Sequence, residues 1–80
     1  MSKEVKSPFE VVASVLEAPV ESVTIDSGYG IDGSWDSLRQ LSIIGALESE
    51  YDISIPDSEI EKYSNMKAIV ELFESLKFGI

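Results

Sequence analysis

Apolar residues in the first part of the chain recur at helical spacing after a clear start signal. Ser7-Pro8-Phe9-Glu10 combines a capping serine, a proline that suits the first helical turn and a glutamate that can reach back to the cap. The apolar residues then fall three and four apart until Pro19 ends the pattern: Phe9, Val12, Val15 and Leu16. We therefore expect a short, half-buried first helix.

The longest apolar stripe predicts a second helix, which should be the main element of the core. Its members lie three or four residues apart, as on one helical face: Leu38, Leu41, Ile44, Leu47 and Tyr51. Farther along, Asp57 can cap a short third helix, and Ser64 or Asn65 can cap a fourth. The fourth helix is predicted to run up to Gly79, with apolar positions at Met66, Ile69, Leu72 or Phe73, and Leu76.

Two stretches lack a helical period. Residues 18–34 are rich in glycine, serine and aspartate, so they predict a long loop, whose first half should be ordered by three apolar anchors: Val20, Val23 and Ile25. A short strand at residues 23–25 is an alternative, but a strand without a partner leaves its hydrogen bonds unpaired. Ile53 and Ile55 alternate with polar residues, but Pro56 ends this alternation too soon for a strand. Residues 53–56 therefore predict an apolar turn.

These elements predict an all-α fold: one domain over residues 1–80, a small four-helix bundle with a long first loop and a short third helix. A chain of 80 residues can build one thin core but no deep active site. It contains no cysteine and no histidine, which excludes disulfides, thiolate zinc sites and nucleophilic triads. Calcium loops starting at Asp26 or Asp32 fail on ligand spacing. We therefore expect neither an enzyme nor a metal site.

The charge balance favours protein partners. Fifteen acidic residues against six basic ones give a net charge of -9, which repels nucleic acid and anionic membranes and attracts basic docking patches. Partner binding should then weaken as salt rises, although solubility alone also explains such acidity. No apolar run approaches the roughly 18 residues of a membrane span, and the N-terminus lacks the apolar core of a signal peptide. We expect a cytoplasmic monomer.

Ser37 lies where the second helix should begin, within DGSWDSLRQLS at residues 32–42. With Gln40 it forms a possible capping box, which would explain the serine as a helix start alone. Asp36 or Ser34 can take the capping role instead, which would leave the Ser37 hydroxyl at the positive end of the helix dipole. A phosphodiester attached there would be stabilised by unpaired backbone N–H groups.

Asp36-Ser37-Leu38, followed by ALESEYDISIPD at residues 46–57, resembles the acyl carrier protein family. In that family an Asp-Ser-Leu opens the second of four helices and an Ile-x-Ile-Pro-Asp turn leads into the short third one. The resemblance implies that Ser37 carries a 4'-phosphopantetheine arm, installed by a phosphopantetheinyl transferase from coenzyme A. The protein would then catalyse nothing, and the thiol of the arm would hold acyl or aminoacyl groups as thioesters for loading and processing enzymes.

The same resemblance implies roles for other residues. Asp36 and Leu38 flank the modified serine and would be read by the transferase. The second helix and the loop before it would form the docking surface, for which we name Trp35, Arg39 and Glu48. Four positions match those that help to line an acyl pocket between helices, although an ordinary core explains them as well: Leu47, Ile55, Ile60 and Ile69.

Several positions depart from the pattern of fatty-acid carriers. Arg39 and Ser42 stand where acids are common, and Gly45 replaces a bulky apolar residue, which costs about 1 kcal/mol of helix stability relative to alanine. Trp35 before the Asp-Ser-Leu resembles stand-alone carriers of specialised pathways, and its ring suits either a docking contact or the core. We therefore expect a discrete carrier outside bulk fatty-acid synthesis. The alternative is a small acidic helical adaptor that binds proteins without a prosthetic group.

Overall fold

The computed structural model describes residues 5–31 and 33–78, and over these residues the chain is helical. The three α-helices are α1 (Pro8–Leu16), α2 (Ser37–Tyr51) and α3 (Met66–Phe78). A 3-10 turn at Val20–Ser22 follows α1, and two consecutive 3-10 turns, Asp57–Glu59 and Glu61–Tyr63, form the short helical segment before α3. We call residues 57–63 the 3-10 segment. The predicted all-α fold is confirmed, and the short third helix consists of 3-10 turns.

The start of α1 is the capping box that the sequence predicts. The Ser7 Oγ accepts from the backbone N–H of Glu10 at 3.3 Å, and the Glu10 Oε1 accepts from the N–H of Ser7 at 3.0 Å. Val12 and Leu16 are buried as expected, together with Val11 and Ala13. The helix ends before Glu17, which adopts the left-handed conformation with φ 57°.

The buried face of α2 differs from the predicted stripe. Ile44 and Leu47 are in the core, but Leu38 and Leu41 are 70% and 57% exposed. Two other residues complete the buried face, namely Gln40 and Ile43. The expectation of a core position for Leu38 and Leu41 is therefore wrong. The physical reason is that the polar side chain of Gln40 points inward, where it makes three hydrogen bonds.

The loop before α2 is attached to the start of α3 through its second half. Of its three expected anchors Val23 is buried, whereas Val20 and Ile25 are exposed, and residues 23–25 form no strand. Farther along, Gly28 and Asn65 form an isolated antiparallel bridge. The Tyr29 N–H donates to the Ser64 carbonyl at 2.8 Å, and the Met66 N–H donates to the Ser27 carbonyl at 2.9 Å. These bonds hold the loop against the third and last α-helix.

Of the remaining cap predictions, one is confirmed and one is wrong. Asn65 caps α3, because its Oδ1 accepts from the N–H of Ala68 at 2.9 Å. Asp57 does not cap the 3-10 segment: it is the first residue of the turn, and Pro56 stands before it without a side-chain cap bond. The predicted end of the last helix at Gly79 lies outside the described residues.

Tyr51 joins the N-terminal segment to α2 and α3. Its hydroxyl donates to the Lys6 carbonyl at 2.7 Å, and its ring lies 5.3 Å from that of Phe73. Burial raises the pKa of this phenol to about 12, with further contributions from the carboxylates of Glu50 and Glu10. The phenol is therefore held in its neutral, donating form.

The core combines residues from all three helices and from the loop. The largest side chains that are fully buried are Trp35, Ile43, Leu47, Met66, Ile69 and Val12. Trp35 is contributed by the last loop residues before α2, so the core extends to the start of that helix. None of the described helices is long and apolar enough to cross a membrane.

Substitution of Gly28 tests the attachment of the loop. A Cβ at this position would meet the Asn65 Cβ and the Ser64 carbonyl oxygen at 3.1 Å each, so Gly28→Ala should destabilise the fold by roughly 1–3 kcal/mol. The control is Gly33→Ala, where a Cβ would meet nothing within 4 Å and the change should be neutral or stabilising by up to about 1 kcal/mol. Urea unfolding measures both. Equal effects of the two substitutions would contradict the close approach of Gly28 to Ser64 and Asn65.

Candidate functional site

Ser37 is the first residue of α2 and is exposed to solvent. The helix is capped by its neighbour: the Asp36 Oδ1 accepts from the N–H of Arg39 at 2.9 Å. Of the alternatives that the sequence left open, Asp36 is therefore the cap, and the capping box between Ser37 and Gln40 is wrong. The Ser37 hydroxyl consequently has no capping role at the N-terminus of a 15-residue helix.

Gln40 is the buried polar residue that organises the surroundings of Ser37. Its Oε1 accepts from the Trp35 indole Nε1 at 2.7 Å, and its Nε2 donates to the carbonyls of Ile60 and Tyr63 at 2.9 and 3.0 Å. One amide thus connects the residue two before Ser37, the first turn of α2 and the 3-10 segment. The signal available in the sequence was the spacing of Gln40 to Ile43, Ile44 and Leu47, which matches one helical face.

A cleft of about 550 Å³ opens beside Ser37, between α2 and the 3-10 segment. Its wall mixes apolar and polar side chains: Tyr29, Ser37, Gln40, Leu41, Ile60, Glu61 and Ser64. Because the attachment hydroxyl itself forms part of the lining, a flexible group bound to Ser37 can reach the cleft without any change in the fold.

The three residues named for partner docking have contacts within the chain. Trp35 is only 1% exposed, so the expectation that its ring contacts a partner is wrong, and the ring belongs to the core. Arg39 donates through Nη1 to the Val15 carbonyl at 2.7 Å, at the C-terminal turn of α1 where the helix dipole favours a cation. The Glu48 Oε2 accepts from the N–H of Ile55 at 2.7 Å. For Arg39 and Glu48 a docking role stays a prediction.

The four expected pocket residues are divided between the core and the cleft. Leu47 and Ile69 are fully buried and Ile55 is 8% exposed, all within the packed core. Ile60 is half-buried and lines the cleft beside Ser37. An acyl pocket that uses all four residues stays a prediction, and the geometry brings Ile60 alone among them next to the serine.

Comparison with known proteins agrees with this geometry. The family described as "Phosphopantetheine attachment site" matches residues 9–73. The chain is also similar to the acyl carrier protein of Campylobacter hominis, with 39% identity over 67 residues, which cover 84% of this chain and 85% of that protein. The chain belongs to the acyl carrier protein family. It is therefore a phosphopantetheine-dependent carrier and not an enzyme.

The residues around Ser37 fit the prosthetic group of an acyl carrier protein. A phosphodiester on an exposed hydroxyl at the first position of α2 lies beside backbone N–H groups that the helix leaves unpaired, at the positive end of its dipole. The Glu61 carboxylate offers acceptors and the Ser64 hydroxyl offers a donor and an acceptor to an amide-containing arm, whereas both N–H groups of Gln40 are used within the fold. Leu41 and Ile60 offer apolar contacts in the same cleft.

Replacement of Gln40 tests its role in the site. Gln40→Leu removes the bond to the Trp35 N–H and one bond each to the Ile60 and Tyr63 carbonyls, so the free energy of unfolding should fall by roughly 2–4 kcal/mol. The Ile60 carbonyl keeps its bond from the Tyr63 N–H. Trp35 is the one tryptophan of the chain, so its fluorescence reports directly on the lost bond. Ser42→Ala, on the exposed face of α2, is the control and should change neither quantity. A stability within about 0.5 kcal/mol of wild type would contradict the bridging role.

Proposed function

We propose that Ser37 is the residue that carries the 4'-phosphopantetheine arm. The observation that supports this most strongly is its position: an exposed hydroxyl at the start of α2, freed from capping by Asp36, in a chain of the acyl carrier protein family. In the modification the Ser37 oxygen attacks the phosphate of coenzyme A that bears the pantetheine. The phosphoanhydride bond breaks, the adenosine bisphosphate leaves, and the hydroxyl proton passes to a base on the transferase.

The arm supplies the chemistry that the chain lacks. The sequence contains no cysteine, so the thiol that forms the thioester comes from the arm. We propose that it holds acyl or aminoacyl intermediates, which partner enzymes load, modify and remove. The cleft beside Ser37 supports a cargo that rests near the surface, because three of the four expected pocket residues are packed into the core. The roles of Asp36 and Leu38 as residues read by the transferase belong to the same proposal.

We also propose that this carrier serves a specialised biosynthetic pathway rather than bulk fatty-acid synthesis. Arg39, Ser42 and Gly45 support this, since they replace residues usual in fatty-acid carriers, and both Ser42 and Gly45 lie on the exposed surface of α2. Trp35 supports it through the resemblance of its motif alone, because its side chain is buried.

Modification of Ser37 can be measured directly. Incubation with coenzyme A and a broad-specificity phosphopantetheinyl transferase should add one arm to the wild type and none to Ser37→Ala, as read by intact mass. Ser34→Ala, which removes another exposed hydroxyl three residues away, is the matched control and should accept the arm. Because Asp36 provides the cap, Ser37→Ala should remain folded and lose about 1 kcal/mol or less.

If the wild type gains no arm with several transferases, the adaptor without a prosthetic group becomes the better description. If Ser37→Ala still gains the arm, another hydroxyl is the attachment site.

Complementation tests the pathway. Expression of this chain in cells that lack their fatty-acid carrier should fail to restore growth, while a fatty-acid carrier expressed from the same vector restores it. The arm on the expressed chain should be verified by mass, so that failure reflects recognition and not a missing arm. Restored growth would contradict a specialised role.

A further inference from the structure

The cleft beside Ser37 ends at Gln40, which lies between the cleft and the core. Gln40 is 6% exposed and is the one buried residue among the described residues that line the cleft, whereas Ser37 and Leu41 on the same wall are exposed. Ile43 and Leu47 follow Gln40 on the same face of α2, one and two turns farther on, and both are fully buried. A chain attached to Ser37 therefore meets the amide of Gln40 before it reaches the core.

The Gln40 side chain is held from two sides. Its oxygen accepts from the indole of Trp35, which belongs to the loop, and its nitrogen donates to the carbonyls of Ile60 and Tyr63 in the 3-10 segment. A side-chain amide has two N–H groups, so both are used. Within the described part of the chain, no other residue of α2 makes a hydrogen bond to the 3-10 segment. We call these three bonds the Gln40 bridge, which joins α2, the loop and the 3-10 segment across the inner end of the cleft.

An aliphatic chain cannot replace the Gln40 bridge. To pass between α2 and the 3-10 segment, the chain would have to displace the amide, and the N–H of the buried Trp35 would lose its bond. The bonds to the Ile60 and Tyr63 carbonyls would be lost as well, although the Ile60 carbonyl would keep its bond from the Tyr63 N–H. A hydrocarbon offers neither a donor nor an acceptor in exchange. Apolar side chains at the same place would only exchange one apolar contact for another.

We infer that the Gln40 bridge closes the core to acyl chains, so that this carrier holds short or polar acyl groups in the cleft and does not enclose a long aliphatic chain. The inference rests on the proposed function, because the cargo hangs from the arm on Ser37. The Glu61 carboxylate and the Ser64 hydroxyl line the cleft, so an acyl group with hydroxyl or amino substituents finds hydrogen-bond partners there. Gln40 is then a specificity-determining residue for the length of the cargo.

A series of acyl chain lengths on the wild type tests the closure of the core. A broad-specificity phosphopantetheinyl transferase with acetyl-, hexanoyl- or octanoyl-coenzyme A adds the acylated arm in one step, which intact mass verifies. Because no chain enters the core, the Tm values of the three forms should agree within about 1 °C. The emission of Trp35, the one tryptophan of the chain, should also be the same in all three forms, since its bond to Gln40 persists.

Two substitutions remove the bridge. Gln40→Ala also removes volume, whereas Gln40→Met keeps a side chain of similar length that is flexible enough to move aside. In both variants the octanoyl form should have a Tm about 5 °C or more above that of the acetyl form, because methylene groups are buried in the core. Trp35 emission should change along the series. Each comparison is made within one variant, so the stability that the substitution itself costs cancels.

The matched control is Ser64→Ala, which makes the cleft wall more apolar without removing any bond of the Gln40 bridge. Its Tm and its Trp35 emission should be as independent of chain length as those of the wild type.

A wild-type Tm that rises from the acetyl to the octanoyl form would overturn the inference, and the wild-type series decides this whether or not either variant folds. A chain-length independence in Gln40→Met equal to that of the wild type would also overturn it, because the core would then be closed without the bridge. In both cases the mass of the acylated wild type still supports the arm on Ser37. A wild type that accepts no arm from any of the three compounds would instead refute the proposed function and this inference with it.

Discussion

The arrangement around Ser37 depends on the side-chain amide of Gln40, which satisfies three groups in the core at once. Its oxygen accepts from the Trp35 indole, and its nitrogen donates to the carbonyls of Ile60 and Tyr63. A buried polar group without a partner lowers the stability of the fold by about 1–3 kcal/mol. The fold is therefore more stable when the amide lies next to its three partners. This constraint fixes the rotation of α2. With Gln40 turned inward, Leu38 and Leu41 face the solvent, and Ile43 takes the core position.

Side-chain hydrogen bonds to unpaired backbone groups also determine which side chains of α2 are exposed. A small domain buries a thin core, and side chains here close the fold by bonding to backbone groups that helices and turns leave unpaired. Arg39 satisfies a carbonyl at the end of α1, and Glu48 satisfies an N–H in the turn before the 3-10 segment. Asp36 satisfies the N–H of Arg39 at the start of α2, so the Ser37 hydroxyl is not needed as the cap. The bonds that complete the fold thus also hold the half-buried side chains of Arg39 and Glu48 against neighbouring segments.

The features that could be predicted from the sequence are those set by near neighbours or by a long motif. The capping box of α1 needs only Ser7 and Glu10, and the family motif spans residues 36–57 without a gap. The spacing of Gln40 to Ile43, Ile44 and Leu47 was compatible with an inward direction, but its bonds could not be predicted, because its carbonyl partners lie 20 and 23 residues away. Burial of Trp35 follows from that bond. The choice between Asp36 and Ser37 as cap was open for a different reason: both are good caps and are adjacent, so propensity does not distinguish them.

Charge and contact act at different distances in such a carrier. A net charge of -9 acts through the solvent over roughly a Debye length of 8–10 Å, so it describes how partners approach the molecule. The surface available for contact consists of the side chains that remain exposed once the hydrogen bonds within the fold are made. On α2 the exposed side chains include Leu38 and Leu41, whereas Arg39 and Glu48 are half-buried and bonded to backbone groups. An acidic composition therefore predicts that basic partners are attracted over a distance, and it does not by itself predict an ionic interface in the bound complex.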